Sequence, residues 1–264
     1  MLKGAIHIHS TYSDGEFTLG ELREIFLAAG CRFLCVTDHA EYFDQLKLQA
    51  YINDCRSLSD ERFHFVPSLE YTCDDKMHIL GYGTTALVNT QDPQAVIRHI
   101  DEHGGISVIA HPRDESFSWI ESFETLPRGI ETWNTKYDGR YAPRPQTFTL
   151  LQRLRGRHSS IQAFYGQDFH WKKQHRGLFV ELDCISATDR AILDGLASGT
   201  YQGRKGDLTL PSSGQLPDAI LAKFSKVHTR AARVSRFLKK SKKLLDRAGV
   251  RAPAPLKAQL RKIF

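Results

Sequence analysis

His7-Ile8-His9-Ser10-Thr11-Tyr12-Ser13-Asp14-Gly15 ends a short apolar run and opens a turn, and its reading decides the fold. Ala5–His9 has the length and composition of a strand. Residues two apart on a strand point to the same side, so His7 and His9 share a face at its C-terminal end. Ser13-Asp14-Gly15 reads as a turn, and Thr18-Leu19-Gly20-Glu21 has the spacing of a capping box that opens a helix closed by Gly30. The unit is therefore a strand, a polar strand end, and a helix.

The same unit recurs. Arg32–Thr37 reads as a strand and residues 43–59 as a helix, while Phe63–Leu69 and His78–Tyr82 read as strands. Pro93–His103 has helical spacing, and Ile106–Ala110, Gly129–Trp133 and Ile161–Tyr165 are further runs of strand length. Alternation of this kind predicts an α/β fold on a parallel sheet, either a barrel or a doubly wound sheet.

Polar residues collect at the ends of these runs. Asp38-His39 follow the second, Glu70 the third, His111-Pro112 the run from 106, and Asp168-Phe169-His170 come after Tyr165-Gly166, while His78 begins its own run. Parallel α/β folds place their chemistry on that C-terminal rim. A single strand-end histidine is usually structural, but six of them with Asp14, Glu70 and Asp168 on one rim predict metal ligands. Mixed imidazole and carboxylate donors suit Zn, Mn or Fe rather than Ca or Mg. Nine donors, at four to six per ion, are enough for two or three divalent ions, with Glu70 the natural bridge. Asp38 is expected to orient His39 or His7, or to cap a strand end. His99, His103, His158 and His175 read as surface residues, and His64 as packing.

Composition sets the remaining bounds. The chain has 264 residues, 41% hydrophobic and 25% charged, an ordinary globular balance. No apolar run reaches the roughly 18–20 residues of a membrane span, and the N-terminus lacks the apolar stretch of a signal peptide. Five scattered cysteines without a CxxC pair suit free thiols. A cytoplasmic protein is expected.

The net charge of +6 is unevenly distributed. Fourteen Lys and Arg against two Asp give residues 218–264 a net +12, leaving the first 217, with 22 basic and 28 acidic side chains, at −6. Ile220, Leu221, Phe224, Val227, Ala231, Val234, Phe237 and Leu238 fall at helical spacing among lysines and arginines. The predicted organisation is a body over 1–205, a linker over 206–217, and a basic amphipathic helical tail over 218–264. Such a tail can pack on the body, lie peripherally on an anionic membrane, or contact nucleic acid or an acidic partner.

The opening His7-Ile8-His9-Ser10-Thr11-Tyr12-Ser13-Asp14-Gly15 resembles the HxHxxxSDG motif of the PHP (polymerase and histidinol phosphatase) family. Val36-Thr37-Asp38-His39, the Glu70 strand end, Ile109-Ala110-His111-Pro112 and Gly166-Gln167-Asp168-Phe169-His170 are similar to its later motifs, in the same order, over about residues 1–205. The resemblance implies a distorted, TIM-like (β/α)7 barrel with a trinuclear metal site that hydrolyses phosphoesters. It implies the ligand set His7, His9, Asp14, His39, Glu70, His78, His111, Asp168 and His170. Glu131-Thr132-Trp133-Asn134 is similar to the family's strand before the substrate rim, making Asn134 a candidate substrate contact.

Arg113, Lys136 and Arg140 lie just beyond rim-facing strand ends, where a cation can hold a phosphate oxygen or simply be a solvated surface charge. The expected activity is hydrolysis of a phosphoester on a small molecule, most directly a phosphomonoester, by an activated hydroxide attacking in line with the leaving oxygen. The alternatives are a phosphodiesterase or exonuclease whose basic tail grips nucleic acid, and a non-catalytic binding module stabilised by metal. Nine ligands exceed the closed four-coordinate cage of a structural zinc site, which weighs against the module.

Overall fold

The computed structural model describes residues 1–184 and 186–247. Its strands are β1 (Leu2–Ile8), β2 (Phe33–His39), β3 (His64–Thr72), β4 (His78–Tyr82), β5 (Ile106–Ala110), β6 (Gly129–Asn134), β7 (Gln162–Gly166), β8 (Phe179–Leu182), β9 (Tyr201–Lys205) and β10 (Leu208–Pro211). Its helices are α1 (Leu19–Ala28), α2 (Gln45–Ser57), α3 (Pro93–Glu102), α4 (Phe117–Glu121), α5 (Pro145–Arg157), α6 (Asp189–Ser198) and α7 (Asp218–Arg247). The capping box before α1 is present: the Glu21 amide donates to Thr18 Oγ1 (3.3 Å) and the Thr18 amide to Glu21 Oε2 (2.8 Å).

One ten-stranded sheet runs in the order β10-β9-β8-β1-β2-β3-β4-β5-β6-β7. Strands β1–β3 are parallel, as are β5–β7, whereas β4 is antiparallel to both neighbours. The reason is the connection. Only a short turn joins β3 to β4, and a parallel return needs a crossover of a dozen or more residues. The expected parallel sheet is thus corrected at β4, and again at β8, β9 and β10, which pair antiparallel.

The sheet curls into a nearly closed barrel. Past the end of β7, Ile8 bridges Phe169 in parallel, with the His9 amide on Phe169 O (2.9 Å) and the Phe169 amide on His7 O (3.2 Å). At the other end of β1, residues 2–4 pair with β8 instead, and β9 and β10 continue that layer. The layer returns to β7, because the Ala163 amide donates to Ser212 O (2.7 Å) and Tyr165 Oη to Pro211 O (2.6 Å). This antiparallel wedge is the distortion of the barrel.

Helices cover the outside with apolar faces: Leu22 and Phe26 of α1, Val96, Ile97 and Ile100 of α3, and Phe148, Leu151 and Leu154 of α5 are all buried. Each such side chain contributes about 1.5–3 kcal/mol by leaving water. Four of the five free cysteines are buried with them.

The expected linker over 206–217 is corrected in part. Gly206 (φ 55) turns β9 into β10, so Leu208–Pro211 is a sheet strand. The chain divides into two compact units, Met1–Leu216 and Pro217–Phe264. In the second, α7 runs from Asp218 to Arg247 with Val234 and Phe237 exposed. The expected tail beyond 247, and the side chains of Leu238 and of Lys239, Lys240, Lys242 and Lys243, lie outside the described residues. Among the described residues no helix is long and apolar enough to cross a membrane.

Candidate metal centre

The rim of the barrel gathers all nine residues expected to be ligands. Four overlapping groups bring their donor atoms within 4.8 Å of one another: His9/Asp14/His39/His170, His7/His9/Asp168, His7/Glu70/His111 and His39/Glu70/His78. These groups contain every one of the nine and nothing else among the described residues.

Glu70, at 1% exposure, is the hub. One carboxylate oxygen lies 3.0 Å from His9 Nε2, 3.3 Å from His7 Nε2 and 3.7 Å from His39 Nδ1. The other lies 2.7 Å from His78 Nδ1 and 3.5 Å from His111 Nε2. A second pole is formed by Asp168, 3.2 Å from His170 Nδ1, and Asp14, 3.2 Å from His170 Nε2. His78 reaches the rim although it begins its strand, because antiparallel β4 places its first residue beside Ala110 at the end of β5.

Electrostatics follow from this crowding. Burial alone raises the Glu70 carboxyl, but His7 and hydrogen bonds from His111, His7 and His78 outweigh it and hold it well below the usual carboxylate range. Asp168 is likewise held well down, by His7, His170 and His111 against the effect of burial. Burial lowers His7, yet Glu131, Glu70 and Asp168 raise it well above the ordinary imidazole value. Burial also lowers His170, but Asp14 and Asp168 bring it up to about 9. His9 goes the other way, pulled down by burial to about 3.

The donor set fits transition-metal ions. His9 is fully buried, and neither of its ring nitrogens has a well-aligned hydrogen-bond partner; buried His39 Nδ1 has none either. Leaving a buried polar atom unpaired costs about 1–3 kcal/mol, and neutral imidazole lone pairs aimed at carboxylates are what Zn, Mn or Fe would use.

Several supporting residues become visible only here. Glu131, fully buried, accepts from His7 Nδ1 (2.8 Å), the His111 amide (2.9 Å) and Asn134 Nδ2 (2.9 Å). It fixes the His7 ring with Nε2 turned toward Glu70 and Asp168. A carboxylate between Ile130 and Trp133 in a run of strand length was the sequence signal for it. Asp38, expected either to orient His39 or His7 or to cap a strand end, does not bond to either ring and instead clamps a loop. It accepts from the Ser10 amide (2.8 Å), Ser10 Oγ (2.6 Å) and Ser13 Oγ (2.5 Å), and so sets the loop that presents Asp14. Gly15 follows because a Cβ there would collide with the His9 carbonyl.

The expected substrate contacts scatter. Asn134 is corrected to a buried brace: Nδ2 donates to Glu131 and to Asp168 (3.3 Å), and Oδ1 accepts from the amides of Lys136 and Tyr137. Arg113 is also corrected, since it leans away to Asp75 and Glu115 (3.5 and 3.4 Å). Lys136 does enter the site, with Nζ 2.9 Å from Asp168 Oδ1. Arg140 is exposed on the loop after β6. His64, read as packing, instead pairs with Asp189 (2.8 Å).

No protein-family model matches the chain. Among solved structures, a two-domain protein from Bacteroides vulgatus, described as containing a predicted PHP-like metal-dependent phosphoesterase, superposes with a TM-score of 0.60 at 15% identity, over 85% of this chain and 69% of that one. The fold is that of the PHP family. An amidohydrolase from Chromobacterium violaceum superposes on the chain with a TM-score of 0.50 at 18% identity, over 72% of this chain and 95% of that one. PsfC from Pseudomonas syringae superposes with a TM-score of 0.54 at 10% identity, over 88% of this chain and 98% of that one. In sequence, the DNA polymerase/3'-5' exonuclease PolX of Bacillus subtilis is 33% identical over 91 residues, 31% of this chain and 15% of that protein.

Proposed function

We propose that the protein is a metal-dependent phosphoesterase acting on a phosphomonoester, with a di- or trinuclear centre held by His7, His9, Asp14, His39, Glu70, His78, His111, Asp168 and His170. The observation that supports it most is Glu70. A fully buried carboxylate facing five imidazoles, two of them with unpartnered buried nitrogens, has the form of a ligand bridging two cations. Divalent ions bound there would supply Lewis acidity and a water whose pKa is brought toward neutral.

The chain's own residues set the conditions for that chemistry. Glu131 accepts at His7 Nδ1, so the neutral ring that binds a metal would offer Nε2 to it. Asp38 holds Asp14 at the half-exposed mouth of the site through Ser10 and Ser13. Burial pulls the Lys136 ammonium down, but Asp168 beside it raises it, so it stays charged at the edge of the cluster. It is the cation placed to take a phosphoryl oxygen. Tyr137, its ring 4.4 Å from that of His111 and 59% exposed, covers the same edge.

The test is a screen of manganese-loaded protein against phosphomonoesters, dinucleotides and single-stranded DNA. Phosphate release from a monoester, abolished by Glu70→Gln, is the expected result. Loaded protein that hydrolyses none of the three would refute the proposal. Cleavage of the DNA alone would favour the exonuclease reading, which the stretch similar to the Bacillus subtilis enzyme supports.

A further inference from the structure

Beyond the cluster, Arg176 and Lys205 stand together, with no ion pair to either among the described residues. Arg176, on the loop after β7, donates from Nη1 to the Thr135 carbonyl, while its buried Nε has no partner. Lys205, at the end of β9, donates from Nζ to the Arg176 carbonyl and lies 5.8 Å from the Trp133 ring centroid. Arg140 acts on both through its charge. Among the described residues, no ion pair engages any of the three. Burial, then Arg140 and Arg176, pull the Lys205 ammonium down to about 8. The Arg176 guanidinium is lowered by burial and by Arg140.

Surface cations normally spread apart or pair with carboxylates; half-buried Arg176 and Lys205, each held by a backbone carbonyl, with exposed Arg140 adding its charge, oppose that tendency. An anion entering among them would relieve the repulsion and satisfy Arg176 Nε. The place is informative too. Thr135, which receives Arg176, lies between Asn134 and Lys136, and both of those touch Asp168 of the metal cluster. Arg176 is thus hydrogen-bonded to the residue that lies in the chain between two neighbours of the cluster.

We propose that Arg140, Arg176 and Lys205 form a second anion subsite, which takes a phosphate-type group on the same substrate molecule whose scissile phosphoester lies at the Glu70 cluster. The substrate is then doubly phosphorylated, with a short spacer between its phosphates. This rests on the phosphoesterase reading for the first phosphate only; the second site is set by its own cations.

Non-hydrolysable ligands separate the two ideas. Calorimetry on manganese-loaded, full-length protein would compare an alkylphosphonate with α,ω-alkane bisphosphonates of increasing chain length. The wild type should bind one spacer length preferentially over the monophosphonate. Arg140→Ala, at an exposed position, and Lys205→Met should each weaken that bisphosphonate by roughly ten-fold or more, as expected for losing one charge-assisted contact. Neither should move the monophosphonate by more than about twofold, and Lys205→Arg should restore most of the loss. Equal weakening of both ligands, or of neither, would overturn the subsite. Absence of hydrolysis in the monoester screen would leave this binding pattern untouched and would count against the catalytic reading alone.

Discussion

Glu131→Gln is an isosteric change whose consequence can be worked out atom by atom. Glu131 Oε1 takes the His7 Nδ1 proton, while Oε2 takes both the His111 amide and Asn134 Nδ2. A glutamine has one oxygen to offer. The position facing two fixed donors keeps it, so the new amide nitrogen turns toward His7. Donor then faces donor, and the neutral ring that metal binding requires would relieve the clash by carrying its proton on Nε2, the nitrogen that looks at Glu70 (3.3 Å). His7 can no longer give that lone pair to a metal. Loss of an outer-shell partner of this kind typically lowers metal affinity 10–100-fold, or about 1.4–2.7 kcal/mol. The fold should suffer less, because the rearranged ring removes most of the roughly 1–3 kcal/mol cost of an unpaired buried donor. Competition of zinc against a chromophoric chelator measures the affinity, and a thermal melt of the metal-free protein measures the fold. Metal affinity within about twofold of wild type would refute the assigned role of Glu131.

Other outcomes follow from the same geometry. Gly166→Ala would drive a Cβ into Glu131 Oε1 and to 2.9 Å from His7 Cβ, so urea melts should show about 1–3 kcal/mol of destabilisation together with weaker metal binding. Glu70→Gln should lower the occupancy of more than one ion, and His170→Ala mainly of one; elemental analysis showing equal losses would contradict the bridging role. In the metal-free chain His170 is raised from 6.5 to about 9, so its proton adds stability that is full below 6.5 and lost as pH rises through 9. Metal must displace that proton, so affinity should rise over the same window, with proton release at pH 7 visible as calorimetric heats that depend on the buffer. A chain ending at Leu216 should keep its melt and its metal content, while only the full chain sediments with anionic vesicles at low salt; aggregation of the shorter chain would assign α7 to the fold.

How far the chain could be read without coordinates depended on the kind of information each feature holds. Strand-end histidines and carboxylates are local, so the rim could be assembled from the apolar runs alone, His78 included, although the reversal of β4 that brings His78 there depends on the length of one turn. The wedge β8–β10 was missed because Gly203–Leu216 is rich in Gly, Ser and Pro. Those residues serve an edge hairpin as well as a linker, and only pairing with β8 decides between them. Asn134 and Lys136 are two residues apart, yet one is a brace and the other faces the site. That difference follows from where Glu131 and Asp168 lie in space.

Backbone conformation was the least legible level, and it bears most directly on function. His7 (φ 60), His111 (φ 29) and Asp168 (φ 50) all occupy left-handed backbone that side chains other than glycine rarely adopt. Such positions cost on the order of 1–3 kcal/mol each and persist only where the surroundings over-determine them. Here the surroundings converge on Glu131, which accepts the His7 ring and the His111 amide and meets Asp168 through the shared donor Asn134. The bulge in β1 between Ala5 and Ile8, where His7 lies, is pinned from the other side by the Phe169 amide on the His7 carbonyl. One buried carboxylate, itself outside the nine expected ligands, thereby holds three strained residues of the cluster in place. The barrel brings the nine side chains to the rim, and Glu131 sets the directions in which three of them point.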